Sequence, residues 1–192
     1  MPHKIEVMKY CQKLSEGAKK IGSVNYISIN EGVLTGKNTD GIAALNLVEE
    51  HKKVNGAHVV VFGAGGAGRA AIYEAKKRGA FVTVCNRSIE KGVKVATEFN
   101  TYFSTCIPKA FDVLINATSL GMDANDVSCI IDEKVDLKEV VVLDMASRSG
   151  DCMLKKFTKK HSTVYISGAE MFKSLTIHSL NETCKQHKLG YI

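Results

Sequence analysis

Four glycines hold the clearest chemical potential in this chain: Gly63, Gly65, Gly66 and Gly68, within His-Val-Val-Val-Phe-Gly-Ala-Gly-Gly-Ala-Gly at 58–68. A β-branched run ends at the first of them, and a helical pattern opens at once. In a strand–turn–helix unit, Gly63 permits the tight turn, Gly65 lets the backbone approach a phosphate, and Gly68 lets helix and strand pack closely. Ala64 and Ala67 complete a loop at a helix N-terminus, whose free N–H groups and positive dipole end suit a pyrophosphate. A second strand-like run, Phe81 to Cys85, ends in Asn86-Arg87-Ser88. No Asp or Glu stands there, where an NAD-preferring site usually places one. Arg87 can grip a 2′-phosphate bidentately, Ser88 can add a hydrogen bond, and Lys91 lies within reach, so these residues point to NADP(H). The plainer alternative is that Ser88 only caps a helix and Arg87 is a surface charge.

The elements around these residues follow from periodicity. The first twenty residues have helical spacing, with Ile5, Met8, Leu14 and Ala18 on one face. Val24 to Ile29 alternates as a strand, Asn30-Glu31-Gly32 is a turn, and Val33-Leu34-Thr35 is a short return strand. A helix is expected over 41–54, broken at Asn55-Gly56. From 58 on, strands (58–62, 81–85, 111–115, 140–143, 164–166) alternate with helices (66–78, 89–99, 169–187). The expected fold class is therefore α/β, a Rossmann-like doubly wound parallel sheet with helices on both faces.

Composition narrows the class. The chain has 192 residues, 45% hydrophobic and 24% charged, as in an ordinary globular protein. Its net charge of +6 is spread as short lysine pairs, which reads as solvated helix surface rather than a nucleic-acid footprint. No apolar run is long enough to span a bilayer, and Met1-Pro2-His3-Lys4 does not resemble a secretory signal. The six cysteines show no Cys-x-x-Cys spacing and the six histidines no ligand pattern. Free thiols in a reducing cytoplasm, and no metal site, are expected.

Several motifs in order, Gly22-Ser23-Val24-Asn25, Gly36-Lys37-Asn38-Thr39-Asp40-Gly41, the glycine turn, Asn86-Arg87-Ser88 and Ile115-Asn116-Ala117-Thr118-Ser119, resemble the shikimate dehydrogenase family over nearly the whole chain. The resemblance implies reversible reduction of 3-dehydroshikimate to shikimate with NADPH, in aromatic amino acid biosynthesis. It implies a catalytic pair, Lys4 of Pro2-His3-Lys4 and Asp40, and a substrate-binding Asn25. It also implies that Asn116, Ala117, Thr118, Met145 and Gly168 lie near the cofactor. Oxidising a secondary alcohol removes a hydride and a hydroxyl proton, and a lysine oriented by a carboxylate can shuttle that proton. Taken singly, Asp40 reads equally as a helix cap, Lys4 as a terminal lysine, Asn25 as a satisfied core amide, and Asn116 and Thr118 as loop formers.

The departures set further expectations. The family has most of a substrate-binding domain ahead of its lysine motif, including a Ser-x-Ser pair for the substrate carboxylate. This chain is expected to hold a remnant of that domain and a linking helix at 1–54, an NADP-binding domain at 55–167, and a C-terminal helix at 168–192 packing back toward the substrate domain. A tyrosine is replaced within Asp144-Met145-Ala146-Ser147, and Leu175 stands where the family carries a glutamine. Lys4 is expected to be mobile, and apolar surface from 5–20 to be exposed. The expected function is a shikimate dehydrogenase-like oxidoreductase, weak or incomplete as this chain alone. The alternatives are a quinate dehydrogenase-like enzyme or a non-catalytic NADP(H)-binding domain. The expected partners are the small-molecule substrate and either a second copy or a complementing N-terminal chain.

Overall fold

The structure, a computed structural model, describes residues 2–120, 129–131, 135–146 and 152–186. Ser147 and the end of the C-terminal helix at 187 therefore lie outside the described residues. The chain opens with 3-10 turns at Pro2–Lys4 and Glu6–Tyr10, followed by β1 (Lys13–Leu14), α1 (Glu16–Ile21), β2 (Tyr26–Asn30), β3 (Val33–Lys37) and α2 (Asp40–Glu49). Then come β4 (His58–Phe62), α3 (Gly66–Lys77), β5 (Phe81–Cys85), α4 (Ile89–Glu98), β6 (Tyr102–Ser104), β7 (Val113–Asn116) and β8 (Val141–Asp144). The last elements are α5 (Met153–Lys160), β9 (Val164–Ile166) and α6 (Gly168–Gln186). No helix among the described residues is long and apolar enough to cross a membrane.

The expected parallel sheet is present, with six strands in the order β6-β5-β4-β7-β8-β9, all paired in parallel. Strand alternation sends side chains to opposite faces. Val59 and Val61 join one core with Leu45 and Val48 of α2 and Ile72 of α3, while Val60 joins Leu114, Val142 and Leu154 on the other. Each fully buried valine contributes about 1.5–3 kcal/mol of burial free energy. With both faces covered, the strands read as unbroken apolar runs.

The N-terminal third differs from its helical reading. Residues 13–14 leave the helical pattern to pair in parallel with Thr35 and Gly36, and only 16–21 form a helix, capped by Ser15, whose Oγ accepts from the Ala18 amide at 3.1 Å. Gly36 makes this pairing possible. A Cβ there would lie 2.8 Å from Val24 Cγ2 and 2.9 Å from Leu14 Cδ2. The three strands form a separate sheet, β1-β3-β2, with β2 and β3 the expected antiparallel hairpin. Ile5 and Tyr10 are exposed, as anticipated for residues 5–20, and Ile27 and Ile29 of β2 are exposed as well.

Helix α2 stops at Glu49 rather than 54, because the chain unwinds to bury Val54 and bring Lys52 to Asp112 at 3.3 Å. Two elements carried no legible signal. The edge strand β6 is three residues long with Tyr102 exposed, and α5 is lysine-rich and buries only Leu154 and Thr158, one turn apart.

Candidate active site

The glycine turn sits where the sheet order reverses, with β4 flanked by β5 on one side and β7 on the other, the point at which open α/β sheets bind ligands. Gly63 has φ +116°, a left-handed conformation that side chains rarely adopt, and its amide donates to the Cys85 carbonyl at 2.8 Å. The Ala64 amide donates to Asn86 Oδ1 at 3.1 Å, and Asn86 Nδ2 donates to the Ser88 carbonyl at 2.8 Å. Asn86 thus bolts the turn to the end of β5. A Cβ on Gly68 would collide with the Gly63 carbonyl, whereas one on Gly65 would meet only open space. The first glycine role is conformational, the last is packing, and Gly65 keeps the approach to the helix end clear. No side chain among the described residues caps α3, so its N-terminal N–H groups remain available.

Arg87 is exposed beyond the end of β5, and Lys91 is exposed in the first turn of α4. Neither makes an ion pair among the described residues. Ser88 caps α4, accepting from the Lys91 amide at 3.4 Å. Capping occupies its oxygen as an acceptor and leaves the hydroxyl proton to donate. The Cys85 thiol beside them is buried, and that burial pushes its pKa up to about 12, so it stays neutral.

On the other side of β4, the expected residues converge. A cavity of about 330 Å³ is lined by Lys4, Asp40, Ala67, Ala117, Thr118, Met145 and Gly168. Ser119, Ala146, Met171, Phe172 and Leu175 also face it; of these, Met171 and Phe172 carried no signal in the sequence. A second cavity of about 370 Å³ shares Lys4, Asp40 and Leu175 and adds Asn25, Val24 and Ile27. Lys4 Nζ forms an ion pair with Asp40 Oδ2 on the wall common to both. Contrary to the expectation of a mobile terminus, the Lys4 carbonyl accepts from the Val24 amide at 2.8 Å, and its side chain is 22% exposed.

Asp40 is the first residue of α2, but its carboxylate does not cap that helix. It is 3% exposed, and its Oδ1 accepts from Asn25 Nδ2 at 2.8 Å. Asn25 Nδ2 also donates to Thr39 Oγ1 at 3.1 Å, and its Oδ1 accepts from the Thr39 amide at 2.9 Å. The Asn25 amide is therefore satisfied within the protein, and it aims Asp40 at Lys4. Thr39 went unread in the sequence because its role exists only once β2 and α2 are side by side. Asn116 ends β7 with its Oδ1 accepting from the Thr118 amide and hydroxyl at 3.1 and 2.7 Å. The pair of cavities can hold a small molecule against Lys4 and Asp40 with its other side toward the N-terminus of α3.

Residues 37–172 match the family described as alanine dehydrogenase/PNT, C-terminal domain. The chain is similar to the NADP(+) shikimate dehydrogenase of Pyrococcus furiosus, 36% identical over 179 residues, covering 89% of this chain and 64% of that protein. It is likewise 36% identical over 185 residues to the NADP(+) shikimate dehydrogenase of Methanocaldococcus jannaschii, covering 89% of this chain and 65% of that one. The chain thus spans a little under two thirds of the length of these relatives. Its fold superposes on a crystal structure of a shikimate dehydrogenase in complex with NADP+ with a TM-score of 0.88 at 34% identity, over 95% of this chain and 68% of that one. With sequence, fold and the order of its motifs in agreement, the chain belongs to the shikimate dehydrogenase family.

Proposed function

We propose that this chain forms the NADP(H)-binding and proton-transferring part of an oxidoreductase that interconverts 3-dehydroshikimate and shikimate. The observation that carries this reading is the Lys4–Asp40 pair on a wall shared by two cavities, one of which reaches Ala67 of the glycine-turn helix. The relatives' printed names supply the substrate and cofactor. The residues here fit the cofactor, with a helix end behind an open Gly65 that no described side chain caps, and two cations beyond β5, Arg87 and Lys91, without an ion pair among the described residues.

In this reading Gly63 to Gly68 and the α3 N-terminus hold the pyrophosphate, and Arg87, Ser88 and Lys91 hold the 2′-phosphate, with Asn86 bracing the turn between them. Asn116, Ala117, Thr118, Met145 and Gly168 border the nicotinamide. Bound NADPH supplies the hydride for the carbonyl carbon. Lys4 gives a proton to the carbonyl oxygen as it becomes a hydroxyl, and takes it back in the reverse direction. Asp40 orients Lys4, and Asn25, which lines the substrate cavity, orients Asp40. Residues 55–167 act as the cofactor domain. Residues 1–54 and α6 act as the substrate side, tied together by Tyr26 hydroxyl to Thr183 Oγ1 at 2.7 Å and Lys37 to Glu182 at 2.8 Å.

Turnover belongs to the assembly that includes the third of the relatives' length not matched here, in the same polypeptide or a complementing one. This chain alone binds NADP(H) and turns over weakly. Six free thiols suit a reducing, cytoplasmic setting. Calorimetry with NADP+ and an assay of NADP+ reduction with shikimate and with quinate test the reading. Micromolar-range binding with shikimate-dependent reduction lost in Lys4→Ala is the expected result. Absence of NADP+ binding contradicts it.

A further inference from the structure

Behind the cavity lies a buried carboxylate that ties its walls together. Asp144 ends β8 and is fully buried. Its Oδ1 accepts from Asn116 Nδ2 at 3.1 Å and from the Ala146 amide at 3.2 Å. Its Oδ2 accepts from the Tyr165 hydroxyl at 3.0 Å and from the Cys152 thiol at 3.9 Å. Each of these four groups donates to it. Burial, and after it the charge of Asp144, pushes the Tyr165 phenol well above its ordinary pKa, so it keeps its proton and remains a donor.

The Asn116 amide cannot turn over within this arrangement. With Nδ2 held by Asp144, Oδ1 points the other way and accepts from both donors of Thr118. A flipped amide would set oxygen against carboxylate and N–H against N–H. The next residue is fixed as well, because the Ala117 amide donates to the Phe62 carbonyl at 2.8 Å. The Ala117 carbonyl and Thr118 Cγ2 crowd Gly63, each 3.0 Å from where a Cβ would sit. One carboxylate thus sets two segments, 116–118 and 145–146, that both face the cavity containing Lys4 and Asp40. Arg87 and Lys91 lie across β4, beyond the end of β5, and share none of these bonds.

We propose that Asp144 is a positioning residue for the nicotinamide half of the site, acting through Asn116 and the Ala146 amide without touching cofactor or substrate. The proposal rests on the NADP(H) reading above. Its test compares two probes on the full chain by calorimetry: NADP+, and 2′,5′-ADP, which carries only the adenosine half. In Asp144→Ala, NADP+ binding should weaken about tenfold or more while 2′,5′-ADP binding stays within about twofold. Asp144→Asn keeps an oxygen for Asn116 and Ala146 while its amide donates to the Tyr165 oxygen, so it should retain both affinities. Equal loss of both probes in Asp144→Ala, as from a merely structural defect, overturns the proposal. So does no loss of either, or failure of Asp144→Asn to keep NADP+ affinity. If the unmodified chain binds neither probe, the cofactor reading falls and this proposal with it. If it binds 2′,5′-ADP but gains nothing from the nicotinamide half, only this proposal falls.

Discussion

Single side chains at this site divide into those that are free to meet a ligand and those already engaged by the protein. Arg87 and Lys91 belong to the first group and Asn25, Asn86 and Asn116 to the second. Arg87→Ala should therefore remove a charge-assisted contact worth about 1.5–3 kcal/mol from NADP+ binding and leave NAD+ binding nearly unchanged. Calorimetry with both cofactors checks this, and equal losses would contradict the phosphate assignment. Lys4 acts differently, since it is already paired with Asp40. In an assembly that turns over, Lys4→Ala should lower kcat about 10²–10⁴-fold while NADP+ affinity is kept. A matching loss of NADP+ affinity would mark Lys4 as a structural residue instead.

Elements reach their positions through close approaches that only small residues allow. Helix α2 crosses α3 with Gly41 against the carbonyl of Ala70, where a Cβ would collide with backbone. Helix backbones this close cannot give way as a flexible side chain would, and the crossing sets where Asp40 stands. Gly41→Ala should destabilise the fold by about 1–3 kcal/mol. In thermal unfolding that appears as a fall in Tm of about 2–4 °C per kcal/mol for a chain of this size; an unchanged Tm would mean that the two helices slide apart at no cost. The same helices are clamped by Arg78, which reaches Glu74, Glu49 and Asn46 at 2.9, 2.7 and 2.8 Å. Arg69 performs a similar service between α1, α3 and α4, donating to the Ile21 carbonyl at 2.5 Å and pairing with Glu98.

Across the whole molecule, ionised carboxylates link the pieces and make stability depend on acid. The Arg69 hydrogen bond holds the Glu98 carboxyl below its ordinary pKa. Asp112 is lowered mainly by the His58 amide and then by Lys52, and Glu170 mainly by the Ser167 hydroxyl. A folded-state pKa below the unfolded one adds stability that is present above the unfolded value and lost as pH falls through the folded one. Urea midpoints should therefore drop as pH falls below about 4. Asp112→Asn should be less stable than the parent at neutral pH, and the gap should close under acid. A gap that persists at low pH would show that the carboxyl charge plays no part. These groups are partly exposed, so each contributes modestly.

Much of this was legible in the order of residues, for a physical reason. Backbone conformation and strand burial are local properties. The β-branched runs at 58–62 and 81–85 predict buried parallel strands, and Gly63, Gly65 and Gly68 predict the turn between β4 and α3, because each depends on neighbours a few positions away. The first twenty residues misled because their helical spacing is outweighed by a long-range pairing of Lys13 and Leu14 with Thr35 and Gly36. Boundaries such as the end of α2 shifted because Val54 and Lys52 answer to partners elsewhere in the fold. The kinds of side chain at the site, and so the resemblance to the family, were legible in the sequence alone. Only the tertiary structure decided that Asp40 turns from capping its helix to meet Lys4, that Asn25 serves Asp40, and that Asp144 orders two walls of one cavity. Each of these depends on atoms from distant segments brought within hydrogen-bonding distance, which residue spacing does not encode.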